Sequence, residues 1–256
     1  MSHSADGRAR SFGAIAESYD RARPSYPAAL ADDLTGGRPC RVLDVGCGTG
    51  IASRLFLDRD CEVLGVEPDP LMAAVARRHG LAVEISGFES WDPAGRTFDL
   101  VISGQAWHWV DQDAGARQAA RVLHSGGLLA PFWNGPRHRP EIFSVMAAAY
   151  RAHAPELLTD NVALGTAHGY RGQDTSADTL AIIASGMFEP PENRSYEWEI
   201  RYTPARLLDE LRTHSNHIML PPERLAAVLD AIGAGLAHLD EFSVPYVTRT
   251  ILARRR

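Results

Sequence analysis

Residues 42–50 read VLDVGCGTG, and this run holds the residue types best suited to bind a charged ligand. An apolar strand pattern ends in Asp44, and Gly46, Cys47, Gly48, Thr49 and Gly50 follow before a helical pattern begins at Ile51. Glycines at such a turn let the backbone bend sharply and approach a ligand closely, as at any dinucleotide-type site. A nicotinamide fingerprint G-x-G-x-x-G would place its third glycine where Ile51 stands, so that cofactor is disfavoured. Asp44 adds a negative charge that opposes a pyrophosphate and favours a cation.

Glu67 ends the next strand pattern, roughly 20 positions past the loop, where an acidic side chain accepts both hydroxyls of a ribose. A cationic ligand with a ribose points to S-adenosylmethionine, which carries an ammonium and a sulfonium. Taken singly, Asp44 could cap a turn and Glu67 could be a solvated strand end. Their joint placement around the glycine loop favours the ligand.

These groups need a scaffold, and residues 41–134 supply the pattern of one. Short β-branched or apolar runs at 41–45, 61–67, 83–86, 98–103 and 127–134 alternate with helical patterns at 51–57, 71–79 and 114–123. That alternation predicts a parallel sheet with crossover helices. Pro70 suits a first helical position and Gly80 a helix stop. Beyond Asn134, the prolines at 136, 140 and 155 and a polar passage at 165–178 predict an insertion rather than another βαβ unit. Strands follow at 195–202 and 244–252, with helices at 204–211 and 222–239 between them. The expected organisation is an N-terminal lid (1–37), a cofactor-binding core (38–134), a cap insertion (135–194) and final core strands (195–256) carrying a helical insertion at 203–243.

Composition narrows the partners. The 256 residues are 45% hydrophobic and 23% charged, an ordinary globular balance, with a net charge of -6. All 26 basic residues are Arg, and their only cluster is Arg254 to Arg256, so no nucleic-acid partner is expected. Cys40, Cys47 and Cys61 have neither disulfide nor zinc spacing. No run reaches the roughly 18 apolar residues of a membrane span and no signal-peptide core precedes the fold, so neither membrane nor export is expected. The reading is a cytoplasmic protein, monomer or homodimer, that binds no metal.

The chain resembles the class I S-adenosylmethionine-dependent methyltransferases, in the small-molecule branch that includes trans-aconitate methyltransferase-like enzymes. The likeness rests on VLDVGCGTG, on FGAIAESYDRARPSYPAAL at 12–30, on Gly87, Phe88 and Glu89, and on FDLVISGQAWHWVD at 98–111. It implies an α/β, Rossmann-like doubly wound fold: a seven-stranded, mostly parallel sheet with an antiparallel last strand, plus helical cap insertions. It also implies cofactor contacts from Asp44, Gly46, Cys47, Gly48, Glu67 and Pro68. Met72, which could equally be core filler, would cover adenine with Gly87, Phe88 and Glu89. Gln105 lies in the fourth-strand motif, and Tyr19 and Arg23 lie in the lid. Arg23 could fork onto the methionine carboxylate or pair elsewhere. The 203–243 stretch departs from the short hairpin usual in the family.

For chemistry, methyl transfer needs acceptor, carbon and sulfur held in line. A base helps a hydroxyl or amine acceptor, whereas a carboxylate needs none. His108 is the candidate base because it follows the fourth strand, at the end of the sheet where active-site loops emerge; between Trp107 and Trp109 it could instead brace an aromatic wall. Trp107, Trp109, Trp133, Phe143 and Tyr150 are the candidate acceptor-binding residues, for a flat or apolar small molecule. The expected function is methylation of a small-molecule acceptor; the alternative is a non-catalytic sensor on the same fold.

Overall fold

The computed structural model describes residues 15–158, 162–164 and 176–256. Residues 1–14 of the expected lid, and most of the 165–178 passage, lie outside the described residues.

The chain enters through α1 (Ala16–Ala22) and α2 (Ala28–Thr35), then builds β1 (Arg41–Val45), α3 (Ile51–Leu57), β2 (Glu62–Glu67), α4 (Pro70–Arg78) and β3 (Ala82–Ile85). Next come β4 (Phe98–Gly104), α5 (Gln112–Val122), β5 (Leu123–Pro136), α6 (Pro140–His153) and α7 (Ser176–Ala184). The last stretch holds β6 (Glu192–Tyr202), α8 (Pro204–Leu211), α9 (Ser215–Ile218), α10 (Pro222–Leu236) and β7 (Phe242–Arg254). Local chemistry sets several boundaries. Asp69 caps α4 by accepting from the N–H of Leu71 at 2.8 Å, and Pro70 occupies the first turn, where no N–H partner is needed. Thr203 caps α8 in the same way, accepting from the N–H of Arg206.

The seven strands form one sheet in the order β3-β2-β1-β4-β5-β7-β6. β1 pairs in parallel with both β2 and β4, and only β7 runs antiparallel, between β5 and β6. The chain steps from β1 outward to β3 and then returns to β4, so β1 and β4 flank the switch point where open α/β sheets bind ligands. One face buries Leu43, Val101, Trp107 and Trp133; the other buries Val42, Phe56, Leu100 and Ile102. A third cluster, with Met146, Tyr150, Leu211, Val228 and Ile232, joins α6, α8 and α10 into a cap with its own apolar core. There α6 and α10 approach so closely that a Cβ on Gly235 would stand 2.5 Å from Val145.

The expected insertion at 135–194 divides in two. α6 belongs to the cap, but α7 packs beside α5, and Ile182 and Phe188 enter the sheet-face core. β5 and β6 both run antiparallel to β7 and hence parallel to each other, so α7 lies in a crossover between them. Prolines around α6 masked that unit. β5 also starts earlier than expected, at Leu123, directly after α5, and α10 ends at Leu236 rather than 239. Among the described residues, no helix is long and apolar enough to cross a membrane.

Candidate functional site

A cleft of about 850 Å³ opens at the carboxyl ends of β1, β2 and β4, with α1 and the cap as its other walls. All the residues expected at the cofactor, from Tyr19 and Arg23 through Asp44 and Glu67 to Gln105, line it, together with His108 and Trp109.

The loop after β1 turns with Gly46 at φ 65 and Gly48 at φ 56, conformations that strain residues with a Cβ. A Cβ on Gly46 would also stand 2.6 Å from that of Ala106. The N–H groups of Gly46 and Cys47 both donate to the carbonyl of Val66, which ties the loop to β2. The Cys47 side chain is buried, packed against Gly65, as a small spacer.

Asp44 is fully buried. Its Oδ2 accepts from the Ser53 hydroxyl at 2.6 Å, while Oδ1 is buried without a partner. Burial, opposed by the Ser53 bond and reinforced by the charge of Glu67, pushes the Asp44 carboxyl up to about 7. Glu67 is held by two backbone donors, Gly48 N–H on Oε2 and Asp69 N–H on Oε1, both at 2.9 Å. Burial still raises it to about 7. Two buried carboxyl groups that resist ionisation, one with an orphaned oxygen, fit a ligand that brings positive charge and hydroxyl donors.

On the adjoining wall, Met72 lies against the glycine loop and also packs with Ala16 and Val75, so it is both cleft wall and core filler. Phe88 is buried, and Glu89 accepts from the N–H of Asp111 at 2.7 Å. Gln105 takes φ 59, and its amide donates to the carbonyl of Asn134. The lid helix is clasped to the core by Asp20, which pairs with Arg54 at 2.9 Å and His79 at 2.8 Å. Arg23 lies over the Tyr19 ring and reaches His214 and the carbonyl of Thr213 in the cap. Its Nε is buried and unpartnered.

His108 lines the cleft with one ring nitrogen already engaged. The Trp133 indole N–H donates to its Nδ1 at 3.3 Å, and burial lowers the ring's pKa to about 4. A neutral imidazole whose Nδ1 accepts must carry its proton on Nε2. With Nδ1 engaged, the ring has no free acceptor nitrogen in its neutral form.

The acceptor wall also changes. Of the five expected residues only Trp109 lines the cleft. Trp107 and Trp133 are each 1% exposed and pack in the sheet-face core, where Trp133 acts by orienting His108. Phe143 and Tyr150 belong to the cap core. Aromatic rings bury large areas, and here that burial outweighed a place at the ligand.

The cleft has instead a polar cap end that the sequence reading missed: Glu210, His214, Ser215, Asn216 and Tyr246. Glu210 accepts from the hydroxyls of Tyr202 and Tyr246 and lies 3.5 Å from His214 Nε2. Burial alone would raise its pKa, but His214, Arg23 and Tyr202 outweigh that and hold it below the ordinary value. The one sequence signal was THSNH at 213–217, polar residues between two apolar helices. Among the described residues, no three His, Cys, Asp or Glu side chains are grouped to hold a metal.

With this geometry in place, the methyltransferase-domain family matches residues 42–127. A Mycobacterium tuberculosis protein, named only as an uncharacterised methyltransferase, is 29% identical over 251 residues, 95% of each chain. The malonyl-[acyl-carrier protein] O-methyltransferase of Enterobacter lignolyticus is 33% identical over 184 residues, 66% of this chain and 72% of its own. A solved Anaeromyxobacter dehalogenans structure, assigned to the type II methyltransferases, is 26% identical with a TM-score of 0.63, covering 91% of this chain and 97% of that one.

Proposed function

The chain belongs to the S-adenosylmethionine-dependent methyltransferases, and from that premise we propose that it methylates a small-molecule acceptor on a carboxylate oxygen, in line and without a general base. The observation that carries this reading is the Trp133 bond to His108 Nδ1 at 3.3 Å, which turns the one histidine at the sheet end of the cleft into a donor. A hydroxyl or amine acceptor would have to lose a proton, and His108 has no free lone pair to take it. A carboxylate arrives ionised.

When bound, S-adenosylmethionine supplies a methyl carbon on a sulfonium that leaves with the C–S bonding pair, so no metal or redox partner is required. Asp44 Oδ1 and Arg23 Nε, both buried and unpartnered, would hold the ligand's ammonium and its carboxylate respectively. Glu67, kept in place by the Gly48 and Asp69 N–H groups, retains lone pairs for the ribose hydroxyls. His108 Nε2–H donates to the oxygen of the acceptor carboxylate that does not react. The attacking oxygen forms the new C–O bond, and no proton moves. Support also comes from the Enterobacter lignolyticus relative, whose name describes oxygen methylation on a malonyl group.

The test is kcat against pH at saturating cofactor, with a panel of small carboxylic acids and mass-spectrometric detection of methyl esters. The expected profile is flat from about pH 5 to 8, because His108 titrates near 4. A rate rising with an ionisation between 6 and 8 that disappears in His108→Gln would overturn the proposal, as would an ether or N-methyl product.

A further inference from the structure

The cap end of the cleft contains a fixed chain of hydrogen bonds that reaches the cleft wall. Tyr150 OH lies 2.7 Å from His217 Nε2, and His217 Nδ1 lies 2.9 Å from Asn216 Oδ1. Both Tyr150 and His217 are fully buried, and Asn216 lines the cleft. Burial lowers the His217 pKa to about 3, so its ring is neutral and has one donor nitrogen and one acceptor. The Asn216 carbonyl oxygen can only accept, hence Nδ1 carries the proton, Nε2 accepts, and Tyr150 donates. With its oxygen engaged, Asn216 leaves its NH₂ as a donor with no partner among the described residues.

The neighbours refine what that donor can meet. Glu210 on the same wall stays ionised, with its oxygens taken by Tyr202, Tyr246 and His214. Arg23, which balances it, is engaged by His214 and Thr213. A second anionic group brought to Asn216 would meet the Glu210 charge with only a neutral amide to compensate it. A neutral carbonyl would meet a donor and no opposing charge.

We propose that Asn216, oriented by the Tyr150–His217 relay, is the specificity-determining donor of the acceptor site and selects acids that bear a neutral carbonyl away from the methylated carboxylate. The proposal rests on the carboxylate reading above and adds the second recognition group. Tyr150 and His217 are positioning residues, which act through Asn216; Asn216 meets the acceptor but not the reacting atoms.

The probes are 4-oxopentanoate and monomethyl succinate, which carry a neutral carbonyl, with pentanoate, which lacks it, and glutarate, which offers a second charge. The wild-type enzyme should favour the two carbonyl acids over pentanoate and glutarate by about tenfold or more in kcat/KM. Asn216→Asp keeps the shape and the bond to His217 but replaces the free donor with an acceptor. It should raise KM for 4-oxopentanoate about tenfold more than KM for pentanoate, which meets only the added charge. Tyr150→Phe removes the relay's first donor; it should raise the same KM by a smaller factor and shift the His217 ring nitrogens in ¹⁵N spectra as the tautomers mix. An equal KM rise for both acids in Asn216→Asp would reduce Asn216 to a structural role and overturn the proposal. Preference for glutarate would overturn the neutral carbonyl. Methyl esters from none of the four acids would remove the acceptor class on which both readings stand, whereas esters formed without sensitivity to Asn216 would overturn this inference alone.

Discussion

Asp44 and Glu210 are both buried carboxylates on the wall of one cleft, yet burial drives their chemistry in opposite directions. Asp44 has one hydroxyl donor and an orphaned oxygen, and its pKa is pushed up to about 7. Glu210 meets two tyrosines and a histidine, with Arg23 nearby, and is held below the ordinary carboxylate range. Desolvation is the first cause at both sites; the donors decide the sign. Asp44 is left with an acceptor free for a ligand, whereas Glu210 spends its acceptors on cap side chains.

Asp44→Asn should break that contrast most visibly. It removes a charged contact to the ligand's ammonium, so calorimetry should show cofactor affinity falling about 100-fold, or ~3 kcal/mol. Its effect on the ligand-free fold is the reverse. Because the folded carboxyl titrates near 7 rather than near 4, the folded state holds its proton more tightly than the unfolded one. The stability this contributes is present in acid and is lost as pH rises toward and through 7, a term on the order of 4 kcal/mol. At pH 8 the ligand-free Asn variant should therefore melt at least ~5 °C above the wild type. A lower melting temperature would show that Asp44 serves the fold as Glu210 does.

Glu210→Gln is the converse experiment. Removing one partner of a buried charged network costs ~3 kcal/mol, so the melting temperature should fall by roughly 5–10 °C while cofactor affinity stays within about twofold. Unchanged melting would count against the structural role.

A pH titration separates the two sites without mutation. As pH falls through 7, Asp44 and Glu67 take up protons and no longer attract a cation, so the cofactor Kd should rise about tenfold between pH 7.5 and 6. Asp44→Asn should flatten that slope. The smallest effect is expected for Glu67→Gln: two backbone N–H groups already hold the carboxylate, and its loss should weaken the cofactor about fivefold, ~1 kcal/mol.

The glycine-loop end of the cleft was legible because its residues lie close together in sequence and their types are dictated by the backbone. Gly46 and Gly48 need positive φ, and Asp44 ends a strand whose neighbour ends in Glu67. The acceptor end was not legible. Trp107, Trp133, Phe143 and Tyr150 could all have faced a ligand or a core, and all four chose a core. Even α7 went unrecognised as part of a crossover, because the prolines before it suggested an insertion.

By itself, then, the amino-acid sequence determined the seven-stranded fold, the glycine loop and the positions of Asp44 and Glu67, since hydrophobic period and backbone conformation act over neighbouring residues. Only the tertiary structure decided which ring nitrogen of His108 is engaged and that Asn216 meets the cleft. Those outcomes depend on Trp133 lying 25 residues from His108 and on Tyr150 lying 67 from His217 in the chain. A hydrogen bond sets a tautomer only once its partner is in reach, and folding alone brings such partners together.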